Sequence, residues 1–176
     1  MRFEPRRIRW VKSVTLDEDT FAYGNDDPTV LAREPESPGD PFELHATDDD
    51  CDTLGDPAVG DLVVLTQHDQ ATHLVEVVGE AIEPRPRRTV RKKTRDERFS
   101  WQRTCRLVIL RDFSEAPFIR EAFGFDPRAK GGDVLEIAAL PAFEEAGTPL
   151  WMVQRRIERA LKGELPSMKR RGALSR

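Results

Sequence analysis

The chain has 176 residues, 38 % hydrophobic and 34 % charged, with a formal net charge of −4 at pH 7. That length suits one compact domain with one core, and no apolar run approaches the roughly 20 residues that span a bilayer as a helix. The opening MRFEPRRIRW is basic without the apolar stretch of a secretory signal, and Cys51 and Cys105 have no metal-like spacing; a cytoplasmic protein that neither enters a membrane nor carries a cofactor is expected.

In chain order, Ile8, Trp10, Val14 and Leu16 alternate with Arg9, Val11, Ser13 and Thr15, the period of a first strand. Lys12 interrupts its apolar face, and a charge there must reach solvent or a partner. Residues 17–57 are turn chemistry, with Gly24-Asn25-Asp26-Asp27-Pro28 followed by Glu34-Pro35-Glu36-Ser37-Pro38-Gly39-Asp40-Pro41. A long irregular excursion is expected, with a short helix or strand around residues 29–33. Acidic residues crowd positions 17–61, where Arg33 alone opposes them.

The stretch 60–79, GDLVVLTQHDQATHLVEVVG, holds two runs rich in β-branched residues, 62–66 and 72–78, around the polar break His68-Asp69-Gln70. This predicts a β-hairpin, fed by the turn Gly60-Asp61 and ended by Gly79. Leu62-Val63-Val64-Leu65 is apolar on both faces, so the strand belongs inside a curled sheet or barrel, and the hairpin is read as a pocket wall. A basic run follows, Arg85, Arg87, Arg88, Arg91, Lys92, Lys93, Arg95 and Arg98, kept off the core by its prolines and its own repulsion.

Strand grammar returns at residues 99–110, where Trp101, Arg103, Cys105, Leu107 and Ile109 share one face and Val108 and Leu110 the other. Ser114 is placed to cap a short helix over 115–123 with Gly124 as its stop, and Gly131-Gly132 opens a last strand at 134–138. Thr148-Pro149 reads as a helix start. Leu150, Val153, Ile157 and Leu161 follow at helical spacing, Trp151 and Met152 broaden the stripe, and Gly163 ends it. This amphipathic helix, 148–162, packs back on the domain or docks on a protein partner. The fold class expected is α+β: a small mixed β-barrel over residues 1–145, a C-terminal helix over 146–165, and a basic disordered tail over 166–176.

Three ordered pieces resemble the EVE domains of the PUA-like superfamily. Trp10-Val11-Lys12-Ser13 is similar to that family's tryptophan-led opening strand. Residues 60–68, GDLVVLTQH, resemble its G-D-led strand, and Trp101-Gln102-Arg103-Thr104-Cys105-Arg106-Leu107-Val108 its tryptophan-led strand after a charged loop. The family's second tryptophan loop is replaced here by the acidic segment, and Thr66-Gln67-His68 stands where Tyr-His-Ser is usual. The resemblance implies a PUA-like barrel, related in fold to YTH and ASCH domains, that holds a modified nucleobase in an aromatic-walled pocket; bacterial members often belong to defence systems.

Such a pocket needs flat π surfaces and a few polar groups for the base edge. Trp10 and Trp101 are the stacking candidates, with Phe99 and Tyr23 behind them, and Ser13, Gln67 and His68 the edge readers, His73 a further possibility. Lys12, Arg85, Arg87, Arg88, Arg91, Lys92 and Lys93 would contact the phosphates of DNA or RNA. Each has a plain alternative: core tryptophans, a strand end, a solvated turn, a charged loop without a role. Asp48-Asp49-Asp50-Cys51-Asp52 lacks the spacing of a calcium loop, and no H-E-x-x-H, G-x-S-x-G or P-loop pattern appears, so neither a metal nor catalysis is expected. The competing reading is a protein–protein interaction module of a multi-component bacterial system, without a base pocket.

Overall fold

The computed structural model describes residues 3–14, 23, 37–84, 100–127 and 132–165. Its centre is a mixed six-stranded sheet in the order β2-β5-β4-β3-β1-β6. The strands are β1 (Ile8–Ser13), β2 (Pro41–Ala46), β3 (Leu62–Gln67), β4 (Gln70–Pro84), β5 (Trp101–Leu110) and β6 (Val134–Glu136). β1 runs parallel to β3, and the other pairings are antiparallel. Helices α1 (Ile119–Phe123), α2 (Pro141–Ala146) and α3 (Leu150–Leu161) follow. The architecture is α+β. None of the helices is long and apolar enough to cross a membrane among the described residues.

The hairpin forms where it was predicted. Its two-residue turn, His68 and Asp69, has φ of 46° and 64°, the left-handed pair that matches the twist of two antiparallel strands. The tip is held from outside, because Ile119 N donates to Asp69 O at 2.8 Å and Ala71 N to Pro117 O at 2.9 Å. Every residue of β3 is buried, as a strand apolar on both faces requires.

β4 corrects the expected stop at Gly79. The strand continues to Pro84, and between the pairs Val77–Cys105 and Ile82–Arg103 it carries extra residues across β5. A Cβ at Gly79 would lie 3.0 Å from the Thr104 Cβ, so glycine here serves close approach inside a bulge rather than termination. A second shift in the same ladder, between Leu74 and Val75, leaves Val108 as the extra residue of β5. It reverses the facing of the strand's end: Leu110 joins Cys105 and Leu107, while Ile109 joins Val108.

Two cores result. On the inner face Phe42, Leu44, Val63, Leu65, Val75, Val77, Cys105 and Leu107 pack with Leu54 and Val134. Residues of β2 and β6, the two ends of the sheet, meet in this one cluster, so the sheet is strongly curled. It is not closed into the expected barrel: among the described residues no backbone ladder joins β2 to β6. Residues 47–56 bridge the gap with side chains, Thr53 Oγ1 accepting from Val134 N at 2.9 Å and Asp50 Oδ1 from Gly132 N at 3.3 Å.

On the outer face Ile8, Val11, Leu62, Val64 and Leu74 pack with α1 and α3 through Ile119, Phe123, Val153, Ile157 and Leu161. α3 therefore shares a core with the sheet, and Gln154 Nε2 ties it to β1 by donating to Ile8 O at 3.0 Å. Trp151 and Met152 do not broaden its buried stripe as expected; both face out. The helix after β5 starts at Ile119, because Ser114 is engaged by Asp112 (Oγ to Oδ1, 2.6 Å) and caps nothing. Gly124 ends it with φ of 87°. The predicted element at 29–33 and the tail from residue 166 lie outside the described residues.

Across β4 and β5, Glu76 is held by Arg7 and by Arg106. Burial raises its carboxyl pKa, but the two guanidinium hydrogen bonds outweigh this and hold it below the ordinary value. Its contribution is present above the unfolded carboxylate pKa and is lost as pH falls through the lower folded one. Glu76→Ala should cost about 2 kcal/mol in urea unfolding at pH 7, by removing the acceptor of two charged hydrogen bonds, and the cost should shrink as pH falls below the unfolded carboxylate value.

Candidate functional site

The structure distributes the predicted pocket residues over separate places. Ser13, Gln67 and His68 gather at the hairpin end. Ser13 Oγ lies 3.1 Å from Thr66 Oγ1, and Ser13 pairs with Thr66 across the parallel β1–β3 ladder. Gln67 is buried rather than presented: its Oε1 accepts from Tyr23 N at 2.9 Å and its Nε2 donates to Thr72 Oγ1 at 2.9 Å. Its capacity to donate and accept at once, the reason for choosing it, is spent on the fold.

Tyr23 is the residue so anchored. Its ring lies 4.9 Å from Phe42, 5.8 Å from His45 and 5.8 Å from His73, with Phe113 6.4 Å beyond His73. These are direct-contact separations between rings. The phenol donates to Glu43 O at 3.3 Å and accepts from His45 N at 2.9 Å, satisfying backbone groups of β2. His73 places Nδ1 2.8 Å from Thr72 Oγ1, while its Nε2 has no hydrogen-bond partner among the described residues. Burial drives its pKa down to about 3, so the ring is neutral at pH 7.

Trp101 stands at the other end of the sheet. It pairs with Pro84 and with Ala46, whereas His73 pairs with Leu110, nine residues or about 30 Å further along β5. Its ring is half-buried against the inner core, and Nε1 donates to Asp48 Oδ1 at 2.8 Å. Trp10 also packs against that core and donates Nε1 to Asp61 Oδ2 at 2.8 Å, the oxygen that accepts from Ala58 N. Among the described residues no ring contact joins the two indoles.

Lys12 cannot be a phosphate contact, which corrects the expectation. It is 1 % exposed, and its Nζ donates to Gly132 O. Burial lowers its pKa to about 8, opposed by the charges of Asp50 and Asp133. It holds the bridged gap from inside. Arg103 is likewise buried, giving Nη1 to Leu54 O at 2.8 Å and Nε to Gly79 O at 3.1 Å. Of the exposed opening arginines, Arg6 pairs with Glu4 and Arg9 with Glu136.

Arg85, Arg87, Arg88, Arg91, Lys92, Lys93 and Phe99 lie outside the described residues; β4 ends at Pro84 and β5 begins at Trp101, its partner in the ladder. From the sequence, Asp48 and Asp50 are weighed only as part of a calcium loop and Asp61 only as part of the turn before the hairpin, not as partners of a tryptophan or of Lys12; each sits in turn chemistry next to a strand. No group of histidine, cysteine, aspartate or glutamate side chains placed to hold a metal ion occurs among the described residues. Comparison with known protein families, with characterised proteins and with solved structures finds no match.

Proposed function

We propose that this chain is a nucleic-acid-binding module of PUA-like, EVE-like type that reads a modified base on a strongly curled, open mixed sheet. The observation that carries the reading is the place of Trp101. Its indole is half-buried, and Trp101 pairs in the ladder with Pro84, after which the basic run from Arg85 to Arg98 follows in the sequence. A basic run of that composition supplies sequence-independent phosphate attraction, and an indole supplies stacking that any base accepts. The mixed, curled sheet supports the fold part of the reading, short of a closed barrel. In this proposal Trp101 stacks the base and Arg85 to Lys93 hold the backbone. Ser13, Gln67 and His68, at the far end, do not share that pocket.

The test is a titration of matched modified and unmodified oligonucleotides at two salt concentrations. Trp101→Ala should remove the preference for the modified base and leave salt-dependent binding. Arg87→Ala with Arg88→Ala should weaken both oligonucleotides alike and flatten the salt slope by about two. Binding that is absent, or indifferent to salt, would sink the proposal.

A further inference from the structure

The indole of Trp101 carries an anion on its edge. Its Nε1 donates to Asp48 Oδ1 at 2.8 Å. The ring is half-buried, whereas Asp48 lies exposed in the turn that follows β2. No cation answers the Asp48 carboxylate among the described residues, and Asp49 and Asp52 of the same acidic stretch are exposed as well. Trp10 differs, although it too donates to a carboxylate. Its acceptor, Asp61 Oδ2, also takes Ala58 N, and the charge of Asp61 favours the cations of Arg9 and Arg103. Of the two indoles, Trp101 alone is joined to a carboxylate whose charge is unspent.

Nε1 belongs to the ring, so a base stacked on this indole lies about 5 to 6 Å from the carboxylate. At that range, in a half-exposed site, a unit positive charge on the base is favoured about tenfold over none. Donation to an anion also leaves the indole richer in electrons, and a cation over a tryptophan face is held by that density. A neutral base gains neither effect. We propose that Asp48 is a specificity-determining residue, and that the base taken at Trp101 is a cationic one, methylated on a ring nitrogen. The inference rests on the preceding reading, in which Trp101 stacks a base.

Cytosine methylated at N3 is a cation at neutral pH, while its isomer methylated at C5 is neutral. Single-stranded oligonucleotides that differ only in this residue, with an unmethylated control, are titrated by fluorescence anisotropy at one salt concentration. The wild-type chain should bind the N3-methyl strand about tenfold more tightly than the C5-methyl strand. Asp48→Asn keeps an acceptor for the indole N–H but removes the charge. It should bring the two affinities together by weakening the cationic one, and it should leave the melting temperature unchanged because the side chain is exposed. Adenine methylated at N1 should likewise be preferred to its neutral isomer methylated at N6. Equal binding of the charged and neutral isomers, or a preference that survives Asp48→Asn, would overturn the inference. In either case a preference for methylated over unmethylated strands that Trp101→Ala removes would still uphold the base reading. Absence of any such preference in the wild-type chain would sink both. A trimethyllysine peptide that binds through Trp101 and Asp48, with no methylated strand doing so, would overturn the inference by assigning the site to a protein cation.

Discussion

Between pH 7 and pH 5 the protein should lose about 2 kcal/mol of stability through His73 alone. In the folded chain the ring is fully buried and burial holds its pKa near 3, whereas in the unfolded chain it titrates near 6.5. Between those two values the unfolded state binds the extra proton, so stability rises with pH there and is forfeited as pH falls. Across the whole interval the linked loss reaches about 5 kcal/mol, which rivals the stability of a small domain. Glu76 acts only below its ordinary carboxylate value, so between pH 7 and 5 the His73 effect is read without it. His73→Leu should remove the slope between pH 7 and 5 whatever it does to stability at pH 7, when urea midpoints are followed across that range. His68→Gln, in the turn, should leave the slope in place. If His73→Leu kept the wild-type slope, the acid sensitivity would belong elsewhere.

The hairpin was legible because local and global demands coincide there. Val63, Val64, Val75 and Val77 are β-branched and favour the extended backbone that the sheet needs, and Asp69 tolerates the left-handed φ of a tight turn. β2 was missed for the opposite reason. Phe42, Leu44 and Ala46 do alternate with Glu43 and His45, but Pro41 and the acidic turns on both sides read as loop. The strand's stability comes from its ladder with β5, about 60 residues away in sequence. Gly79 misled because a glycine in a bulge and a glycine ending a strand look alike in one dimension. Only the Thr104 side chain opposite tells them apart.

The site was less legible than the fold. Periodicity said that Lys12 must reach solvent or a partner; it reaches a partner, a carbonyl 120 residues further on. Trp10 and Trp101 were chosen from sequence as stacking surfaces because each opens a piece that resembles an EVE-domain motif. Strand register, which sequence patterns do not report, places Trp101 beside Pro84 and Ala46 and Trp10 beside Val63 and Glu136. Each indole N–H is answered by an aspartate from a turn. The acidic segment, read as solvated loop, thus supplies partners for both rings and for Lys12.

Asp50 concentrates that role, and its removal should show the second large effect. Its carboxylate accepts from Thr47 Oγ1 at 2.7 Å and from Gly132 N at 3.3 Å, and its charge favours the buried ammonium of Lys12. Gly132 admits it because a Cβ there would lie 2.5 Å from Asp50 Oδ2. Asp50→Ala strips two donors of their acceptor and leaves Lys12 without part of its charge compensation, so a loss of about 3 kcal/mol is expected in urea unfolding. Lys12→Met should cost under about 1 kcal/mol, because an apolar chain of similar length replaces a charge that was costly to bury. The double variant should then be more stable than the sum of the two losses allows, by about 1 kcal/mol or more, since the charge stranded by Asp50→Ala is no longer there. Strict additivity in that cycle would mean that Asp50 acts through its hydrogen bonds alone, and that the buried cation takes its compensation from Asp133 and the Gly132 carbonyl.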